Sequence, residues 1–345
     1  MTLFKRLDNW WFGSRSPASL CLLRIFLGSL AFIALALTLV VFTDFYTADG
    51  YAPNRMIENY LRYSSEIVWI GTDLEFRLPF EVPRLTLLGG EPGVAWTLTV
   101  YVATMVAAVF FALGKWTRVA GFALAIGLMS IHTRTPLIIH SGDTLLRLCI
   151  FYLAFSPCGR MYSLDALRNG ARQLAEASPS PGLVDRLAEA PPSPGLVRVT
   201  SQRLIQYQVA MVYLFTAWWK FFGTYWLDGT ATWYPTQMHE FHRFPLPDFL
   251  ARQPFVMIET YGTLLLEIAL GTLVFWKPAR KWVLIGGLLM HGYIEYHFNI
   301  PMFAFIICSC YIAFYEGEEV EAWVARMKAK WEARRGRPAV AETAS

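Results

Sequence analysis

The sequence predicts an all-α integral membrane protein, a bundle of about eight transmembrane helices with both termini in the cytoplasm. Three observations predict it: an apolar composition, a series of long apolar runs, and an uneven distribution of Lys and Arg between the segments that join them. Of 345 residues, 55% are hydrophobic and 16% are charged, whereas soluble domains carry about 25% charged residues. Mean hydropathy is +0.37. The net charge is only +4, and Lys and Arg do not gather into one basic face, which argues against a nucleic-acid partner. Membrane lipid is the expected surrounding.

A bilayer core takes roughly 20 apolar residues per helix. The first span is read at 20–42, with Arg24 its only charge, behind a basic start at Lys5, Arg6 and Arg15. Its apolar run is too long for a signal peptide, and no small-residue cleavage site follows. The second span is 94–113, and a turn with Gly114, Lys115 and Arg118 leads to the third at 119–131. The fourth, 143–156, is short and carries Arg147; a tilted or partly inserted helix also fits it. The remaining spans are 204–222, 255–276, 282–297 and 300–315.

Alternating these eight spans from a cytoplasmic N-terminus places 20 Lys and Arg in the inner segments and 7 in the outer loops. That excess follows the positive-inside rule and supports both the number of spans and the orientation. The expected location is a bacterial cytoplasmic membrane. The inner segment contains a linker, 170–200, in which Ser-Pro-Gly-Leu-Val occurs at Ser180 and again at Ser193; its composition predicts a flexible tether. The stretch 316–345 is charged and helix-prone, a cytoplasmic or interfacial tail. The outer loop 43–93 is 51 residues long, and loops of that length often form a site or a lid. All five Cys lie in or just inside spans, so loop disulfides are not expected.

Ionisable groups at membrane depth are costly, so each is a functional candidate. Arg24 has snorkelling as its bland explanation. Asp143 and Arg147 are four apart, as a local ion pair would be. Glu267 lies near the middle of its span. Lys220 lies near the outer end of the fifth span, beside Trp218, Trp219 and Trp226. All six His fall on the outer side or in the outer half of a span, and His291 and Glu295 share a helix face. No metal is expected: His239-Glu240-Phe241-His242 is not the His-Glu-x-x-His zinc pattern, and no His-x-x-x-His box is present. Acid–base chemistry or recognition of a polar ligand suits these residues better.

Four stretches carry a family resemblance. Ser16 to Gly28 (SPASLCLLRIFLG) comes first. His140-Ser-Gly-Asp143 then leads into an apolar run ending near Ser163-Leu-Asp165. Phe215-Thr-Ala-Trp-Trp-Lys220 is followed by Trp226-Leu-Asp-Gly229. Finally, His291 lies ahead of Pro301-Met-Phe303. In order and spacing they resemble the vitamin K-dependent γ-carboxylase, or HTTM (horizontally transferred transmembrane domain), superfamily. The resemblance spans about residues 16–315 and makes 1–315 an HTTM-like transmembrane domain. It suggests a bacterial short form lacking the family's C-terminal lumenal domain.

What it implies is a lyase-type membrane enzyme related to the carboxylase, using a reduced naphthoquinone of the vitamin K type. The chemistry would be quinol-linked carboxylation, or a related reaction, on the extracytoplasmic side. Lys220 matches the first of the family's lysine pair, with Phe221 at the second position, and His140 matches its assisting histidine. Catalytic roles thus fall on Lys220, His140 and His291, with Arg24, Asp143, Arg147, Trp226, Glu267 and Glu295 lining the pocket. Two other readings stay open: a non-catalytic membrane factor that matures or exports a secreted peptide, and a proton-coupled transporter suggested by Glu259 and Glu267.

Overall fold

The structure is a computed structural model that describes residues 2–47, 50–51, 56–57, 59, 67–69, 75–77, 86–90, 92–177 and 195–334. Most of the outer loop 43–93, the middle of the 170–200 linker and the last part of the tail lie outside the described residues.

Helix α1 (Leu3–Phe12) is followed by the two-residue strand β1 (Ser14–Arg15) and by α2 (Ala18–Thr38), which runs on through a tighter turn to Tyr46. Strands β2 (Ile67–Trp69) and β3 (Glu75–Arg77) form an antiparallel hairpin pair. Then come α3 (Val94–Leu113), α4 (Thr117–Arg134), α5 (Ser141–Ala154) and α6 (Leu164–Ala177). Strand β4 (Val197–Arg198) pairs antiparallel with β1. It leads into α7 (Thr200–Lys220), α8 (Phe255–Gly271), α9 (Lys277–His297), α10 (Phe303–Cys310) and α11 (Gly317–Arg334).

Among the described residues the protein is all-α apart from those two short strand pairs, and a helix stands at each of the eight apolar segments. Two of them, Ala18–Tyr46 and Val94–Leu113, are long and apolar enough to cross a membrane by length and composition. Helix α7 carries Gln202, Arg203 and Gln206 in its first turns, which lowers its apolarity; these side chains are buried against the 313–316 segment instead of facing outward.

The helices alternate in direction, so segments read as lying on one side of a membrane do meet. At the near end, where α1 and α11 leave the bundle, Ser16 N–H donates to Glu318 (2.9 Å), Arg203 pairs with Glu316 (2.7 Å) and Arg280 pairs with Glu319 (2.7 Å). At the far end, Arg134 reaches the Thr47 carbonyl (3.2 Å), His140 meets Pro301 O (2.8 Å) and Arg243 N–H meets His297 O (2.7 Å). Helix α2 packs on α3, α5, α10 and α11 and supplies Leu20, Leu23, Leu27 and Leu35 to the core.

The 316–345 stretch, read as helix-prone, is helical over Gly317–Arg334, and its first turn binds Ser16. Two expectations are corrected. The 170–200 linker is structured at both edges: residues up to 177 complete α6, and Val197–Arg198 closes a strand pair onto Ser14–Arg15. Arg24 does not snorkel. It is fully buried. Its Nη1 donates to Phe111 O (2.8 Å) and Ala112 O (2.7 Å), its Nε to Cys158 O (3.0 Å) and its Nη2 to Tyr162 O (2.5 Å).

The reason is helix chemistry. The last carbonyls of α3 have no partner within the helix, and a cation there also complements the helix dipole. Gly114 closes that end at φ 68°, and a side chain in its place would strike the Arg24 guanidinium. Asp165 does the converse for the next helix. It accepts from Trp116 N–H (3.0 Å), Thr117 N–H (2.8 Å) and Thr117 Oγ1 (2.7 Å) at the start of α4. Burial pushes its carboxyl up, but these hydrogen bonds, with Arg24 nearby, outweigh it and hold the group below the ordinary 3.8.

Candidate functional site

The polar interior of the bundle is built by α7, α8, α9 and α10. Tyr213 and Lys220 are seven residues apart on α7, two turns that return to the same face. Lys220, the last residue of α7, pairs its ammonium with Glu267 Oε1 on α8 and lies 4.7 Å from the centroid of the Trp226 ring. The two side chains are 18% and 10% exposed, so the pair is largely out of water. Glu267 Oε2 is buried without a hydrogen-bond partner.

Two turns back, the Tyr213 hydroxyl lies 2.7 Å from His291 Nε2 on α9 and 2.6 Å from the Tyr311 hydroxyl. All three side chains are buried, and His291 Nδ1 is buried without a partner. Neutral His291, Tyr213 and Tyr311 together hold three N–H or O–H hydrogens for two internal hydrogen bonds. One hydrogen always points out of the chain, at His291 Nδ1 or at a tyrosine. The chain can therefore shift a proton along its length without opening either bond. Gly287 makes room for it: a Cβ there would lie 2.4 Å from the Tyr311 hydroxyl.

His140 stands one ring away. Phe303 packs its ring 5.4 Å from that of His291 and 6.1 Å from that of His140. His140 is the N-cap of α5: its Nδ1 accepts from Gly142 N–H (3.1 Å), and Asp143 Oδ2 accepts from its backbone N–H (3.1 Å). An Nδ1 that accepts carries no hydrogen, so Nε2–H is the donor to Pro301 O at 2.8 Å.

The residues singled out from the sequence therefore separate. Lys220, Glu267 and Trp226 form one contact group. His140 connects to His291 through Phe303. Asp143 is part of the α5 cap, and Arg147 has a buried Nε without a hydrogen bond one turn further on. Arg24 belongs to the near end. Glu295 does not join His291: Arg243 takes both its carboxylate and its carbonyl (3.0 Å) at the far end. There the His297 and His242 rings lie 4.4 Å apart, tilted by 42°, and His297 Nδ1 donates to Phe244 O (3.0 Å).

Sequence reasoning missed Tyr213 and Tyr311. The seven-residue spacing to Lys220 was a signal for Tyr213; nothing local marked Tyr311. His132 lines a cavity with Thr38, Tyr46 and Asp143, of about 30 Å³ of water-accessible space, enough for one or two water molecules. Lys220 and His291 do not line that cavity. Among the described residues, no group of three or more His, Cys, Asp or Glu is placed to hold a metal ion.

Two helices long and apolar enough to cross a membrane thus stand in an all-α bundle with a polar interior. Residues 184–318 match the HTTM domain. All of α7–α10, and so the Lys220, Glu267, Tyr213, His291 and Tyr311 constellation, lies inside the matched region. The chain is also similar to the uncharacterized protein YitO of Bacillus subtilis (strain 168), with 31% identity over 120 residues. The match covers 33% of this chain and 38% of YitO. No solved structure matches.

Proposed function

We propose that this chain spans the bacterial cytoplasmic membrane eight times, with both termini inside, and carries out quinol-linked chemistry of the vitamin K-dependent carboxylase type near the outer leaflet. The observation that carries the reading is the buried Lys220–Glu267 pair beside the Tyr213–His291–Tyr311 chain.

In apolar surroundings the net charge of a site decides what it tolerates. The pair is neutral as a whole. An acidic hydroxyl that gives its proton to Glu267 becomes an anion next to Lys220, and the charge of site plus ligand stays zero. A weakly acidic phenol, such as the hydroxyl of a reduced naphthoquinone, is the substrate class that suits this exchange. Trp226 offers an aromatic face beside the ammonium. The site residues fit a quinol headgroup in donor and acceptor chemistry: Glu267 Oε2 accepts, Lys220 donates, and His291 Nδ1 does either. Bound there, such a quinol would supply the reducing equivalents. The chain's own groups would hold it and move its proton, with His140 fixing the position of the Pro301–Phe303 turn against the site.

The test is incorporation of labelled CO2 into peptide glutamate by the purified protein, with and without a reduced naphthoquinone. Quinol-dependent incorporation that disappears in Lys220→Ala supports the reading. Quinol-dependent incorporation that is undiminished in Lys220→Ala removes Lys220 from the mechanism.

A second reading, a non-catalytic membrane factor that matures or exports a secreted peptide, is favoured by Phe221 at the position of the family's second lysine. Co-purification of a small secreted peptide, with no quinol dependence in any assay, would select it.

A further inference from the structure

We infer that α1 and α11 form a collar that binds the surface of an anionic phospholipid leaflet at the near end of the bundle. The inference rests on the membrane-spanning reading above and goes beyond it by assigning a lipid class to a particular pair of helices.

Both helices are fixed to one short segment, Ser14–Ser16. Ser14–Arg15 pairs with Val197–Arg198. Ser16 binds the first turns of α11 through Glu318 (2.9 Å) and Glu321. Helix α1 is held further by its Trp10: Arg203 Nε donates to the Trp10 carbonyl (2.9 Å), and the Arg203 guanidinium lies 5.0 Å from the Trp10 ring. The two helices thus leave the bundle at the same end in fixed directions, and each turns an apolar face outward. Phe4 and Leu7, three apart on one face of α1, are 84% and 48% exposed. Trp323, Met327 and Trp331 recur every four residues along α11, and each is about half exposed.

The charges beside those faces select the partner. Three of the four acids of α11 sit in its first turns and are used inside the protein: Glu318 and Glu321 on Ser16, Glu319 on Arg280. Beyond Trp323 the helix carries Arg326, Lys328, Lys330 and Arg334 against a single acid, Glu332. Lys5 and Arg6 accompany Phe4 on α1. An apolar stripe flanked by cations fits the boundary between headgroups and acyl chains of a negatively charged leaflet. The near end carries the segments read as inner, which hold 20 Lys and Arg against 7 in the outer loops, so the collar adds to that excess.

The test reconstitutes the full chain in nanodiscs of phosphatidylcholine alone or of equal parts phosphatidylcholine and phosphatidylglycerol. Nitroxides are placed singly at Leu7→Cys, Met327→Cys, Ala325→Cys and Val106→Cys, with the unsubstituted protein as labelling control. The readout is the ratio of oxygen to nickel-chelate accessibility.

Position 106, outward-facing at mid-α3, reports the acyl chains. In the anionic discs, positions 7 and 327 are expected to show a ratio several-fold above that of position 325, which lies on the opposite face of α11. Lys328→Glu with Lys330→Glu is expected to return position 327 toward the value of position 325. Water-like values at 7 and 327 while position 106 reports acyl chains would overturn the collar alone. A water-like position 106 would overturn the membrane-spanning reading, and the collar with it. Spin–spin broadening that grows with the number of chains per disc would replace the lipid with a second copy.

Discussion

Replacing Lys220 by Met, or Glu267 by Leu, leaves one charge of their pair alone among apolar helices. With an effective dielectric constant of ~20 and a contact of about 3 Å, the Coulomb attraction is about 5 kcal/mol. Holding the long Lys220 side chain in one geometry costs about 2 kcal/mol of rotamer entropy, leaving a coupling of about 3 kcal/mol. Both side chains are less than a fifth exposed, so solvent screening takes little of it. Each single replacement is expected to cost about 3–5 kcal/mol, because most of the penalty is the stranded partner charge.

The double replacement strands nothing and is expected to cost less than the two singles together by about 3 kcal/mol. The assay is thermal unfolding of the purified protein in detergent for all four members of the cycle. At about 2 °C per kcal/mol for a chain of this size, each single variant should melt about 6–10 °C lower. The double should melt about 6 °C above the additive expectation. Additivity within ~0.5 kcal/mol, the behaviour of independent sites, would refute the pairing and the charge-neutral site built on it.

Other perturbations have equally defined outcomes. Arg24→Met removes four hydrogen bonds to carbonyls and is expected to cost about 3–5 kcal/mol; Arg24→Lys should recover part of this, and an unchanged melting temperature in Arg24→Met would contradict the capping role. Tyr213→Phe takes the shared partner from His291 and Tyr311 and should cost about 2–4 kcal/mol. In the labelled-CO2 assay the same variant should lose quinol-dependent turnover more than Tyr311→Phe, which leaves the Tyr213–His291 bond intact. Asp165 has a lowered carboxyl, so its contribution is present above the unfolded value and is lost as pH falls through the folded one. The stability gap between the wild type and Asp165→Asn should therefore be constant at neutral pH and shrink below about pH 3.8; a gap that widens on acidification would reverse the assignment. Gly287→Ala forces a methyl group against the Tyr311 hydroxyl and should lower the melting temperature by several degrees, whereas Gly292→Ala, with open space around it, should not.

The positions of the eight apolar helices were legible in the sequence because they follow from local physics. A long run of apolar residues that leaves water must pair its own backbone groups, and a helix does so within the run. The candidate groups Lys220, Glu267 and His291 stood out for the same reason, as ionisable side chains inside apolar runs. What those groups do was decided only by tertiary packing. Arg24 and Lys220 are each the one charged residue of an apolar run in the sequence. One meets the open carbonyls at the end of α3; the other meets a carboxylate on α8. Nothing within a few residues of either tells them apart. Glu295 shares a helical face with His291 yet is captured by Arg243, 52 residues away in sequence. Tyr311 joins the site from a separate helix end. A hydrogen bond acts over about 3 Å of space and is indifferent to chain separation, so the sequence marked the polar groups while the packing of α7 to α10 chose their partners.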